Sequence, residues 1–439
     1  MIITIQEHYN GFDSKREYDF GGGLPFEKDY FYQYTRKFKN EKVDCYRIYS
    51  DDLNNRHFIA NSYFIGVDWI IENKKAIYVE PKLNNNSTQQ TDYLKMLFSA
   101  LKHQEVAKHT DDLFEIKWDK TPIEIEQHQD LLTPLLVVQY LRLVKEIVRK
   151  GLKKSYYKVE NNLYAKVKGK VLVSQTIKQN LVKNKPLHTY CSYDEFGLNG
   201  LENRLLKKAL IFIQRYLPNI KNLQSEKYTT EIFNYINPAF EFVSEEVNLH
   251  DIKHTKTNAF YKEYEEAIKL AKLILKRFGY NVSNTQEKTI KTPPFWIDMS
   301  KLFELYVLGI LKDTYGANAL YGHKEAKLNY GLPDYLITKE GDKCIADAKY
   351  KLIYNNDGQY DIDNVRQLSG YARDEKVFDK LGIPINQIID CIVIYPFSSD
   401  KNSQEDFKIN LSEFDNLGTF VNFKKVGVPI PVIKTNNSK

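Results

Sequence analysis

The sequence predicts a multidomain α+β protein: a β-rich N-terminal domain, a helical middle or stalk region, and a C-terminal α/β domain on a mixed sheet. Three observations predict it. The first hundred residues carry short alternating runs such as Tyr46-Arg47-Ile48-Tyr49 and Ala76-Ile77-Tyr78-Val79. The middle carries long apolar stripes at helical spacing, and the last 150 or so residues order themselves as helix, hairpin, helix, buried strand. With 439 residues the chain has room for two or three domains. The expected divisions are residues 1–125, 126–285 and 286–439, with the last boundary in the 282–294 segment.

Alternation with a period of two fits half-buried strands, so the N-terminal runs read as a sheet. The triplet Gly21-Gly22-Gly23 lacks the lysine and Ser/Thr of a phosphate-binding loop and reads as a turn. A polar stretch over residues 84–90 precedes a helix expected over 92–102. Leu135, Val138, Leu141, Val144 and Val148 then mark a helix ending near Gly151. Residues 163–173 read as a strand with Lys166, Lys168 and Lys170 on one side, suited to phosphates or to the wet face of a sheet. A helix over 201–216 stops before Pro218. Another is expected over 259–278, with Tyr264, Ile268, Ala271, Leu275 and Phe278 on one stripe and its end at Gly279. Neither carries chemistry of its own.

In the last domain, residues 299–312 form a helix whose Phe303, Tyr306, Val307, Ile310 and Leu311 keep helical spacing. Glu304 lies on the border of that stripe, where a carboxylate calls for a partner or a metal; a cap or a salt bridge would serve equally. The stretch P-D-Y-L-I-T-K-E-G-D-K-C-I-A-D-A-K-Y-K over residues 333–351 follows. If Glu340-Gly341 is a two-residue loop, with glycine supplying a positive φ, Lys339 pairs with Asp342 and Asp334 stands opposite Asp347. Opposed residues have Cβ atoms about 4.5–5.5 Å apart. Ile345, Asp347, Lys349 and Lys351 then share a face, with Cys344, Ala346, Ala348 and Tyr350 on the other. A shift of one residue would undo this.

Two facing carboxylates repel unless a cation lies between them, and hard oxygen ligands suit Mg²⁺ or Mn²⁺. A lysine beside them can orient water or neutralise a developing charge. A surface hairpin with an Asp/Lys cluster is the plain alternative. Beyond it, Asp361 can cap a helix that puts Gln367 and Tyr371 on one face. Arg366 and Arg373 are available there for phosphates. Residues 388–395, nearly all apolar and closed by Pro396, read as a central strand. His323 lies between Glu304 and Asp334, but as a loop or partly buried histidine rather than a ligand. His188, His250 and His254 have no metal-ligand spacing.

Composition narrows the class. A net charge of +6 is a mild basic excess, spread along the chain, compatible with nucleic acid without indicating it. Four dispersed cysteines with no C-x-x-C pair argue against a zinc site or a disulfide scaffold and fit a reducing cytoplasm. A polar-interrupted start and the lack of a long apolar run predict neither signal peptide nor membrane span.

Taken in order, Glu304, Pro333-Asp334, Asp347-Ala348-Lys349 and Gln367 with Tyr371 resemble the PD-(D/E)xK nuclease superfamily, in the branch with a Q-x-x-x-Y helix. The spelling is similar to the McrC nuclease subunit of McrBC-type restriction systems. Pro294-Phe295-Trp296-Ile297-Asp298-Met299, Leu302-Phe303-Glu304, D-A-K-Y-K and Tyr395-Pro396 carry that likeness. So do Glu80-Pro81-Lys82, Arg149-Lys150-Gly151-Leu152, Lys168-Gly169-Lys170, Tyr193-Asp194-Glu195-Phe196 and Glu202-Asn203-Arg204. The resemblance implies a Mg²⁺-dependent endonuclease acting on double-stranded DNA. Its partner would be an McrB-like AAA+ GTPase hexamer that carries target recognition, docked through the N-terminal part of this chain. It implies Asp334 and Asp347 as metal ligands, Glu304 as an accessory ligand or orienter, and Lys349 as the assistant to water. Gln367 and Tyr371, with Lys351 and Arg366, would support the site or DNA. An adaptor that mainly activates the ring, and a stand-alone repair nuclease, are the competing readings.

Overall fold

The computed structural model describes residues 2–8, 33–40, 43–51, 56–81, 90–107, 109–110, 113–126, 129–216, 227–248, 262–282, 289–322, 332–351, 354, 359–397, 407–411 and 417–433. Residues 21–23, Lys82, Pro218, His250, His254 and His323, singled out in the sequence, lie outside these. The chain divides into two compact units, Met1–Leu132 with Thr289–Lys439, and Thr133–Lys288. The described residues are mixed α+β with several sheets.

In the first unit, a five-stranded sheet runs Ile2–Gln6, Lys75–Glu80, Phe64–Ile71, Phe295–Asp298, Phe114–Ile116. The first pair is parallel and the others antiparallel. A strand from the C-terminal half thus sits inside the N-terminal sheet. Trp296 anchors it: its ring is fully buried and its indole N–H donates to Asp68 Oδ2 at 2.9 Å. Asp68 is itself buried and paired with Lys117 at 2.7 Å, so the indole meets a compensated charge. A three-stranded meander, Gln33–Lys37, Asp44–Asp51 and Arg56–Asn61, shares that core through Cys45, Tyr46 and Ile48.

The same unit holds a mixed sheet in the order Ala319–Tyr321, Tyr335–Ile337, Cys344–Ala348, Asp390–Phe397, Phe423–Pro429. The first three strands pair antiparallel and the last three parallel. Leu336, Ile345 and Val393 face the helices Ile362–Tyr371 and Glu375–Leu381, packing on Leu368, Val377 and Phe378. Alternation sends Tyr335 to the other face, where its hydroxyl donates to the Glu304 carbonyl of the Met299–Tyr315 helix at 2.7 Å. Both faces are covered, which explains the near-continuous apolar spelling of the central strand.

In the second unit, the helices Leu132–Lys150, Leu201–Tyr216 and Lys262–Val282 are tied by buried tyrosines. Tyr140 donates to the Leu206 carbonyl at 2.7 Å, and Tyr264 to Asn203 Oδ1 at 2.8 Å. The sequence ends the last of these at Gly279, but Gly279 keeps helical backbone and the helix reaches Val282. Glycine stops a helix when it turns left-handed, not by its presence alone. The strand expected over 163–173 is also different. Ser155–Tyr164 pairs along ten residues with His188–Gly197, breaks at Ala165 (φ 50) and Gly169 (φ 67), and resumes at Lys170–Val171. Two left-handed residues end the ladder, and Lys166 and Lys168 lie in the connection.

Candidate active site

The hairpin over residues 335–348 has the register that its loop predicts. Asp342 N donates to the Lys339 carbonyl at 3.0 Å, and Gly341 takes φ 89, the left-handed position such a turn demands. Tyr335 pairs with Ala346, Leu336 with Ile345 and Ile337 with Cys344. The paired residues end there, and Asp334 and Asp347 are the residues next outward on the two strands, with the Asp334 amide bonded to the Asp347 carboxylate.

Both acids are buried, Asp334 at 8% exposure and Asp347 at 2%. Asp334 Oδ2 accepts from the Ala348 amide at 2.7 Å, which fixes it against the residue between Asp347 and Lys349. The Lys349 ammonium makes an ion pair with Asp347. It also donates to Gln367 Oε1 at 3.0 Å, and Gln367 Nε2 in turn donates to the Tyr371 hydroxyl at 2.6 Å. Gln367 and Tyr371 stand one turn apart on the Ile362–Tyr371 helix, whose N-terminus Asp361 caps by accepting from Asp363 N. The structure therefore brings Asp334, Asp347, Lys349, Gln367 and Tyr371 into one hydrogen-bonded line.

Glu304 joins from the Met299–Tyr315 helix. Its Oε1 accepts from Lys301 Nζ at 2.9 Å and from the Tyr321 hydroxyl. Lys301 Nζ also donates to that hydroxyl. Asp298 caps this helix by accepting from Lys301 N at 3.0 Å, and burial lifts its carboxyl to about 6. Lys301 and Tyr321 were not singled out in the sequence. Lys301 was legible, since an (i, i+3) lysine faces its glutamate. Tyr321 was not, because no local spacing joins it to the helix.

Burial raises the Asp347 carboxyl, and Glu304's charge adds to that, against the pull of Lys349. Burial draws Lys349 down, but the charge of Asp347, with Asp334 and Tyr371, outweighs it and the ammonium stands above its ordinary value. At neutral pH Lys349 is thus a cation held among acids, a point charge and not a base.

Lys351 and Arg366 stand apart from this line. The strand ends at Ala348, and Lys351 N donates to the Lys349 carbonyl at 2.7 Å. Lys351 then bonds the capping Asp361 at 2.7 Å, so the shared face expected through Lys351 ends at Lys349. Arg366 is exposed and paired with Asp363 at 3.1 Å. Gly322 has a role that the sequence reading missed. Its amide donates to the Asp334 carbonyl at 2.8 Å, and a Cβ there would lie 1.8 Å from the Pro333 carbonyl oxygen.

Asp334, Asp347 and Glu304 set three carboxylates against the ammonium groups of Lys349 and Lys301, an acidic excess of hard oxygen donors that suits Mg²⁺ or Mn²⁺. Among the described residues no group of three such side chains is gathered at ligating distance. Asp347 and Glu304 are drawn instead to Lys349 and Lys301.

A family model described as McrBC 5-methylcytosine restriction system component matches residues 64–375 of this chain. No curated protein matches. Among solved structures the chain is similar to a refined half-complex from a tetradecameric assembly of Thermococcus gammatolerans McrB AAA+ hexamers with bound McrC. That likeness has 14% identity and a TM-score of 0.31, and covers 85% of this chain and 78% of that one. It is also similar to a cryo-EM structure of the Thermococcus gammatolerans McrBC complex, with 14% identity and a TM-score of 0.29, covering 71% of this chain and 87% of that one. The family assignment rests on the family model, which spans well over half of the chain.

Proposed function

Because the chain belongs to the McrBC 5-methylcytosine restriction system component family, we propose that it is the nuclease subunit of such a system. In this reading it is a Mg²⁺-dependent PD-(D/E)xK endonuclease that hydrolyses phosphodiester bonds in double-stranded DNA. It works with an McrB-like AAA+ GTPase ring, which it engages through its N-terminal part and stimulates. The observation that carries the reading is the hairpin. Asp334 is bonded to the Ala348 amide, Asp347 adjoins it, and Lys349 is steered by both Asp347 and Gln367.

In this proposal Asp334 and Asp347 hold the metal and Glu304 completes or orients its shell. When bound, Mg²⁺ polarises the scissile phosphate and acidifies a water. This chain's own groups do the rest. Released from Asp347, Lys349 remains tethered by Gln367, and its ammonium can orient the attacking water or neutralise charge on the phosphoryl oxygens. Tyr371 fixes Gln367, so the lysine samples few rotamers. The buried strands beneath keep the acids in place and water scarce, which strengthens each of these charges.

The test is plasmid cleavage, methylated and unmethylated, by the chain with its AAA+ partner and GTP. Asp347→Ala and Lys349→Ala should abolish cutting while complex formation and GTPase stimulation persist. Cutting retained by either purified variant sinks the site.

A further inference from the structure

Glu7 directly follows the first strand of the N-terminal sheet, yet its side chain belongs to the neighbourhood of the hairpin. It is 3% exposed, and its Oε1 accepts from the Tyr350 hydroxyl at 3.2 Å. Tyr350 lies between Lys349 and Lys351, where the chain has just left its ladder. Three further contacts hold that phenol and its ring. Thr91 bonds the hydroxyl, Tyr63 meets the ring edge-on at 5.4 Å, and Phe303, the neighbour of Glu304, meets it at 5.5 Å.

Tyr350 is the middle residue of the tight turn that the Lys351 N to Lys349 carbonyl bond closes. Anchoring its side chain among the aromatic rings therefore fixes the turn from which Lys349 reaches Asp347 and Gln367. Phe303 ties the same ring to the helix that carries Glu304. Beyond Ala348 the ladder that held the strand is spent, and the described backbone bonds of this corner are Lys349 N to the Ile394 carbonyl and Lys351 N to the Lys349 carbonyl. The side chains add the rest: Lys349 and Lys351 are tied to Gln367 and Asp361, and Tyr350 between them is held by its ring and hydroxyl.

We propose that Glu7 is a positioning residue for the nuclease site: through the Tyr350 hydroxyl it locks the segment that aims Lys349. The proposal rests on the nuclease reading for the role of Lys349, but the lock itself is a property of the fold and is measurable without catalysis. Burial lifts the Glu7 carboxyl to about 8, so near neutrality it stands mostly as the neutral acid, and glutamine is its close mimic.

The experiment follows amide hydrogen exchange in the full-length chain and, in parallel, plasmid cutting with the AAA+ partner. Glu7→Ala should speed exchange of the Lys349, Tyr350 and Lys351 amides about five- to tenfold, the worth of one buried hydrogen bond, with the Asp390–Phe397 strand unchanged. Turnover should fall by a similar factor at unaltered half-saturation by DNA. Glu7→Gln should restore both. Tyr350→Phe removes the hydroxyl, and with it the Thr91 bond as well, so it should speed the same amides at least as much as Glu7→Ala, which covers the case where the alanine variant fails to fold. Unchanged exchange at those amides in both Glu7→Ala and Tyr350→Phe overturns the proposal. So does a rise spread evenly over the unit, or no rescue by glutamine. If the unsubstituted complex does not cut while the exchange pattern holds, the nuclease reading fails and the lock stands.

Discussion

Replacing Glu7 with glutamine should make stability rise relative to the unsubstituted protein as pH increases. The carboxyl is lifted from 4.5 to about 8, chiefly by burial. A group whose folded pKa is raised binds a proton in the fold that the unfolded chain has already lost. Stability therefore falls as pH climbs from 4.5 towards 8, by about 1.4 kcal/mol per pH unit. The gap opened between the variants is about 3 kcal/mol at pH 7 and at most about 5 kcal/mol above pH 8. Glutamine keeps the oxygen that the Tyr350 hydroxyl needs and has no charge to desolvate, while other titrating groups cancel in the comparison. The assay is denaturant unfolding followed by tryptophan fluorescence at pH 5, 7 and 8.5. Trp69, Trp118 and Trp296 all lie in the first unit, so the signal reports the unit that contains Glu7. The gap at pH 5 sets the packing cost, and its growth with pH is the quantity read. A gap that stays constant, or widens toward acid, refutes the reasoning.

Two further outcomes are expected. Gly322→Ala should cost about 1–3 kcal/mol and lower cutting sharply, because its Cβ would lie 1.8 Å from the Pro333 carbonyl and must push Asp334 away from the Ala348 amide. Thermal unfolding and plasmid cleavage both check it, and unimpaired cutting would contradict it. Mg²⁺ at about ten times its dissociation constant should stabilise the protein by about 1.4 kcal/mol. Asp347→Asn should abolish that gain; a gain that survives places the metal elsewhere.

The hairpin was legible because its information is local. Gly341 fixes the turn, the turn fixes the register, and the register ends with Tyr335 beside Ala346, which leaves Asp334 and Asp347 adjoining just beyond it. The helix capped by Asp361 was equally plain. Features that depend on distant segments were not legible. Nothing near Phe295 announces that its strand enters the N-terminal sheet beside Phe64–Ile71. Nothing near Glu7 announces Tyr350, 343 residues away. The face expected to run on through Lys351 was lost for a different reason. The period of two extends only as far as the ladder, and the ladder stops short of it.

Glu7 and Asp347 are both buried carboxyls beside the segment that carries Lys349, and burial raises both. Their surroundings assign them different work. Around Glu7 stand the phenols of Tyr350 and Tyr63, and burial dominates, so the group keeps its proton and serves as a hydrogen-bond anchor. Asp347 faces Lys349 directly, with Asp334 adjoining and Glu304 near enough to act on its charge. There burial still raises the carboxyl, but the Lys349 ammonium pulls against it. A divalent ion entering this corner gains from Asp347 and its neighbours, whereas at Glu7 it would first have to expel a proton held to about pH 8. In the proposed site, that difference in surroundings suits Asp347 to a ligand's role and Glu7 to holding the segment of Lys349 in place.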